Sequence, residues 1–192
     1  MEQDILEPGF VYHIFNRGNN KETIFKEPKN YEYFLNRVFF HLRSNCDIYA
    51  YCLMPNHFHL LLRIKDDPSS SSELISKIHQ PFSNLFNSYT KSINKQYSRS
   101  GSLFQKHMHR ERVIDDNYLR KAFIYIHTNP VHHGFVKDYM DYEWSSVHDY
   151  FTKPSGNLNM ELPLLLFDGL ENMASEHKRK NNFILGIFDE DV

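Results

Sequence analysis

Residues 51–64, YCLMPNHFHLLLRI, read as the end of one strand, a tight turn at Pro55-Asn56 and a second strand that is almost wholly apolar. Side chains alternate along a strand, so Phe58, Leu60, Leu62 and Ile64 point one way and His57, His59, Leu61 and Arg63 the other. The two histidines therefore share a face. Separated by about 7 Å at roughly 3.3 Å rise per residue, their imidazoles can converge on one metal ion or one phosphate.

Outward from the hairpin, each flank has its own period. Upstream, Phe10 to Phe15 alternates as a strand and runs into a turn, RGNN. Asn30 to Ser44 then carries Tyr31, Phe34, Leu35, Val38 and Leu42 at helical spacing, and Asp47 to Met54 forms the hairpin's first strand. Downstream, DDPSSSS is a polar break. Ser72 can cap a helix through about Tyr97, with Pro81 as a potential kink. The stretch SLFQKHMHRERVI, 102–114, reads as a strand, and DDNYLRKAFIYIHTN, 115–129, as a helix capped by Asp115 or Asp116 and ended by Pro130. The order β-α-β-β-α-β, then α, predicts an α+β fold: a ferredoxin-like (split βαβ) antiparallel sheet with helices on one face and extra C-terminal helices. Helices covering Phe58, Leu60 and Leu62 would leave the histidine face open. The expected organisation is one domain over residues 1–150 and an acidic helical tail over 151–192.

Charge is unevenly spread although the net value is only −2. Between residues 74 and 114 seven lysines and arginines face Glu111 alone, whereas residues 138–192 hold eleven acids against four basic residues. A basic middle suits a polyanion such as DNA, although a solvated helix face balanced by an acidic tail gives the same pattern. The longest apolar run, LPLLLF at 162–167, is far too short to span a bilayer, and the N-terminus lacks a basic segment followed by an apolar one. A soluble cytoplasmic protein with no membrane partner is expected. Cys46 and Cys52 fit no metal or redox spacing and read as buried small hydrophobes.

On the 115–129 helix, Tyr118, Ala122, Tyr125 and Asn129 lie at steps of four, three and four and so share a stripe, beside the apolar stripe of Leu119, Phe123 and Ile126. Taken in order and spacing, VYHIFNRGNN, MPNHFHLLL, GSLFQKHMHRERVIDDNYLRKAFIYIHTNPVHHGFV and DYEWSSVHDY resemble the single-tyrosine HUH transposases, especially the REP-associated tyrosine transposases, across roughly residues 9–150. The resemblance implies a metal-dependent single-strand DNA endonuclease and strand transferase acting on hairpin-bearing DNA. It places Tyr125 as the nucleophile of a 5′-phosphotyrosine intermediate, His57 and His59 as metal ligands, and Asn129 where relatives carry a third polar ligand. The divalent ion would be Mg²⁺ or Mn²⁺, and relatives act in cis or across a homodimer, so a dimer is allowed.

The chemistry suits those residue types. Two neutral imidazoles and an amide oxygen leave open positions on a divalent ion for a scissile phosphate. A phenolate leaves more readily than an alkoxide, which keeps a phosphotyrosine link reversible. Tyr118 is the rival nucleophile. His127, His132 and His133 read as helix-end groups, and His107 and His109 as phosphate-facing or exposed. Arg17, Arg63, Lys106, Arg110 and Arg112 are the candidate DNA-phosphate contacts. Tyr12 and Phe104 could stack on bases, though core packing suits both better. Two other functions compete with cleavage: a non-cleaving module that holds structured single-stranded nucleic acid, and a zinc hydrolase built on the H-x-H pair, which lacks an evident carboxylate ligand.

Overall fold

The computed structural model describes residues 4–66 and 78–180. Its centre is a four-stranded antiparallel sheet, in the order β2-β3-β1-β4, formed by β1 (Val11–Arg17), β2 (Cys46–Met54), β3 (His57–Ile64) and β4 (His109–Arg112). Helices α1 (Pro28–Leu42), α2 (His79–Gln96) and α3 (Asp116–His132) complete the split βαβ pattern. Three short helices follow: α4 (Val147–Phe151), α5 (Glu161–Leu166) and α6 (Leu170–Lys180). The α+β, ferredoxin-like architecture is the one expected. The segment around Ser72 lies outside the described residues, and Pro81 falls in the first described turn of α2.

The hairpin closes as read, with Met54 opposite His57 across Pro55 and Asn56. This turn is held from outside: Pro55 O accepts from the amides of Ile24 (2.8 Å) and Phe25 (3.0 Å), and Asn56 O from that of Gly18 (2.8 Å). Gly18 is required there for space, since a Cβ would lie 2.2 Å from the Glu22 carbonyl oxygen. A register irregularity between Ile48 and Ala50 keeps both residues buried.

One face of the sheet, carrying Tyr12, Ile14, Phe58, Leu60 and Leu62, packs on Phe34, Val38, Leu85 and Tyr89 of α1 and α2. Tyr12 and Phe104 belong to this core, and the Tyr12 hydroxyl donates to Ile5 O at 2.8 Å. The other face departs from expectation: it is not open. Ala50, Cys52, Met54 and Leu61 form a second core with Leu119, Ala122, Phe123, Tyr125 and Ile126 of α3. Helices thus lie on both faces, because β2 is apolar on both sides and needs cover twice.

Two element bounds also differ. Strand β4 has only four residues in place of the thirteen expected, because Leu103 and Phe104 turn into the first core and only a bridge to Gly18 remains there. Helix α3 begins at the expected cap, with Asp115 accepting from the Tyr118 amide at 2.7 Å, but continues through Pro130 to His132. Beyond residue 151, Leu166, Phe167, Met173 and His177 are buried against α3. Cys46 and Cys52 are both free and buried.

Candidate active site

The antiparallel registers place Arg17 beside His57, Phe15 beside His59, and Glu111 beside His13, so all of these side chains rise from one face. Helix α3 lies over that face and brings Tyr125 and Asn129 to the histidines. The sequence-based expectation of an open histidine face is overturned here: His57 is 3% exposed, His59 1%, and Tyr125 and Asn129 are fully buried.

His57 is oriented by the turn that precedes it. Its Nδ1 lies 2.7 Å from Asn56 Oδ1, an acceptor, so Nδ1 carries the proton and Nε2 the lone pair. That Nε2 faces Asn129 Oδ1 at 3.4 Å. Burial is the largest influence on its acidity, followed by repulsion from His133, and the imidazole is pushed down to about 3, hence neutral near pH 7. His59 is likewise driven well below its ordinary value, by burial first and then by His13, His57 and His133.

The His59 ring stands edge-on to Tyr125 at 5.5 Å and 83°, and at 5.2 Å from His57. Its Nδ1 meets His13 Nε2 at 3.0 Å, while its Nε2 is buried with no hydrogen-bond partner. Asn129 Nδ2 and Arg17 Nε are buried and unpartnered as well. Among the described residues no three His, Cys, Asp or Glu side chains group as a metal site. The candidate donor set is instead two imidazoles and one amide.

Helix α3 separates the two tyrosines by partner. Tyr118 donates its hydroxyl to Glu111 Oε2 at 3.0 Å and is raised in pKa, by burial first and then by that carboxylate. Tyr125 packs on His59, and His132 stacks on it at 6.2 Å. His133 lies 5.2 Å from His57, ring to ring. His127 turns away from the site and bonds Ser146 and His177. His109 stacks on Phe15 at 4.8 Å, and His107 is exposed.

The five basic residues do not converge. Arg17 alone sits beside His57. Arg63, at the far end of β3, is paired with Asp66 at 2.5 Å. Arg112 is paired with Glu7 at 2.7 Å and lies over the Phe10 ring. Arg110, whose Nε bonds Asp4 O, and Lys106 border a cavity of about 580 Å³ with Asn16, His79, Gln105 and His107. Asn16 shares the α1–α2 side of β1 with Ile14, so that cavity opens away from the histidine face.

Sequence reasoning missed His13 and Glu111. Both carried a signal: His13 interrupts an apolar strand, and Glu111 is the only acid in the basic stretch from 74 to 114.

Comparison with known proteins bears on the family and the fold. A protein of Haemophilus influenzae, assigned as a REP-associated tyrosine transposase, is 27% identical over 113 residues, which is 55% of this chain and 64% of that protein. The chain thus spans less than two-thirds of that curated relative's length. A solved REP-associated tyrosine transposase bound to a REP hairpin shares the fold, with a TM-score of 0.64 at 16% identity over 83% of this chain and 88% of the other. The family description "Transposase IS200 like" matches residues 8–129, a span that holds β1, the histidine hairpin and α3 as far as Asn129. By that match the chain belongs to the IS200-like transposases.

Proposed function

We propose that this chain is a metal-dependent endonuclease and strand transferase that cuts single-stranded, hairpin-bearing DNA through Tyr125. One observation carries the reading. With its Nδ1 proton committed to Asn56, His57 Nε2 presents a lone pair towards the buried Asn129 amide, 3.4 Å from its Oδ1, so that an imidazole nitrogen and an amide oxygen converge as donors for a cation. The buried, unpartnered His59 Nε2 supplies a third donor nearby. The residues present therefore fit a divalent ion held by His57, His59 and Asn129. Such an ion would supply Lewis-acid stabilisation of charge on the scissile phosphate. Two imidazoles favour Mn²⁺ on softness, and Mg²⁺ is the abundant alternative.

Tyr125 then provides the nucleophile. Its phenolic oxygen attacks phosphorus, the bond from phosphorus to the 3′ oxygen breaks, and the 5′ end is left on the tyrosine. The phenol loses a proton and the departing 3′ oxygen gains one, so the exchange is balanced, and return of a 3′-hydroxyl rejoins DNA without a nucleotide cofactor. Arg17, beside His57, is placed to meet the phosphate. Because Tyr125 is fully buried, a strand enters only when α3 shifts. The helix has features that permit bending: Pro130 lies inside it, and Thr128 Oγ1 bonds Ile124 O at 2.9 Å. The hairpin named in the structural relative's complex makes hairpin DNA the substrate to try first.

The same burial of Tyr125 favours one competing reading, a module that binds structured strands without cutting. Incubation with labelled hairpin-bearing single strands and Mn²⁺, followed by a denaturing gel, separates them. A covalent protein–DNA band supports cleavage. Retarded native complexes with no covalent band under either metal would overturn it in favour of binding alone.

A further inference from the structure

His59 differs from His57 in what fixes its ring. His57 is held by Asn56, whereas His59 Nδ1 meets another imidazole, His13 Nε2, at 3.0 Å. Behind His13 stands Glu111: the cross-strand register puts the two side by side, with His13 Nδ1 3.7 Å from Glu111 Oε2. Tyr118 steadies the same carboxylate oxygen with a 3.0 Å hydrogen bond. Burial alone would raise the Glu111 pKa, but its contacts with His13, Tyr118 and His109 leave it lowered, so the group stays a carboxylate.

The protons of this row can be placed in order. A carboxylate only accepts, so Nδ1 of His13, which faces it at ion-pair rather than hydrogen-bond distance, bears the proton. His13 Nε2 is then a lone pair and accepts from Nδ1–H of His59. That leaves His59 Nε2 as a lone pair facing the site. The reverse order would leave a buried N–H on His59 Nε2 with no acceptor, which is costly, whereas an unpartnered lone pair is what a cation needs.

We infer that Glu111 and His13 form a positioning relay that fixes the tautomer of His59 and so presents its Nε2 to the proposed metal. The inference rests on the proposed function for its purpose, but the tautomer can be read without metal. Neither His13 nor Glu111 touches the ion or the DNA in this scheme. Both act through His59.

The test uses the full chain labelled with ¹⁵N-histidine, with long-range ¹H–¹⁵N correlation to assign the His59 tautomer in metal-free protein. Mn²⁺ affinity is measured separately from the free-ion electron paramagnetic resonance signal. Wild type should show His59 protonated at Nδ1. Glu111→Leu and His13→Leu should move His59 towards the Nε2–H form and weaken Mn²⁺ binding about 10- to 100-fold, the usual range for partners behind a ligand. Glu111→Gln and His13→Gln keep an oxygen acceptor and should stay within about threefold of wild type. This rescue would not be expected if the residues only filled space. If the leucine variants fail to fold, the wild-type tautomer and the glutamine variants still decide. A wild-type His59 protonated at Nε2, or Glu111→Leu with unchanged tautomer and affinity, overturns the relay. Wild type that shows the Nδ1–H form yet binds no Mn²⁺ supports the relay and counts against the metal-dependent reading instead.

Discussion

Two pairs of buried histidines flank α3, and they are built differently. His127 and His177 are joined at 2.9 Å, the second nitrogen of His127 meets Ser146 Oγ at 2.8 Å, and His177 Nδ1 donates to Met173 O at 2.7 Å. Both nitrogens of both rings are thus engaged. His13 and His59 are joined just as closely, at 3.0 Å, but His59 Nε2 has no hydrogen-bond partner. Burial and low basicity are common to His59 and His127, so neither identifies a site. What separates them is the His59 nitrogen without a hydrogen bond. A satisfied pair ties α6 to α3 and the sheet, and an unsatisfied one marks where something else belongs.

The largest effect that would break this contrast is loss of chemistry. Tyr125→Phe removes one oxygen beside the unsatisfied pair and should abolish the covalent adduct with hairpin strands while metal and strand binding persist. Tyr118→Phe should still form the adduct, because its hydroxyl serves Glu111. Peptide mapping of the adduct checks both, and a DNA-linked peptide holding Tyr118, or an adduct surviving in Tyr125→Phe, would sink the assignment.

Stability should separate the pairs next. His127→Leu removes the imidazole that joins His177 Nε2 to the Ser146 hydroxyl, which keeps its bonds to Tyr51, and opens a void in a packed core, so it should cost about 2–4 kcal/mol by urea denaturation. His59→Leu removes one unsatisfied nitrogen and exposes another on His13, so its cost should stay within about 1 kcal/mol, while Mn²⁺ binding disappears. Equal costs would remove the distinction.

Ligand linkage sharpens it further. Mn²⁺ at a hundredfold excess over Kd should stabilise wild type by about 2.7 kcal/mol, read as a raised Tm, and His57→Ala should lose that increment. A smaller effect follows from pH. Burial first, then His177 and His148, hold His127 well below its ordinary pKa. On acidification the unfolded chain takes up a proton near pH 6.5 that the folded chain refuses. Stability should therefore fall as pH drops below about 6.5, by at most about 1.4 kcal/mol per unit for this residue, and His127→Leu should flatten that part of the profile. Smallest of all, removing residues 181–192, which include Asp189, Glu190 and Asp191, should raise low-salt strand affinity less than tenfold if acidic residues compete for the basic surface. A cut at 156 is a poor test, because Phe167, Met173 and His177 would leave the core with it.

Much of this was legible in residues 51–64. Period-two alternation put His57 and His59 on one face, and the four-three-four stripe put Tyr125 with Asn129. What alternation cannot say is which element covers a face. The clue was in β2: residues 48–54, IYAYCLM, are apolar without interruption, the mark of a strand buried on both sides. The fate of Arg112 was hidden for another reason, since its acidic partner Glu7 lies 105 residues away and reaches it only once the chain has folded; Arg63 has its partner Asp66 three residues along the chain. Proline misled as well, because Pro130 forgoes one amide bond in a helix that packing holds in place.

The order of the strands has a consequence in time. The β2–β3 hairpin is local and can close within microseconds, carrying His57 and His59 together from the start. Their partners come from far along the chain: His13 lies 46 residues from His59, and Asn129 lies 72 from His57. β1 must insert between β3 and β4, and α3 must then dock, before the donor set exists. During refolding, strand formation would precede tight capture of Mn²⁺, and the ion would serve as a clock for the last step of assembly.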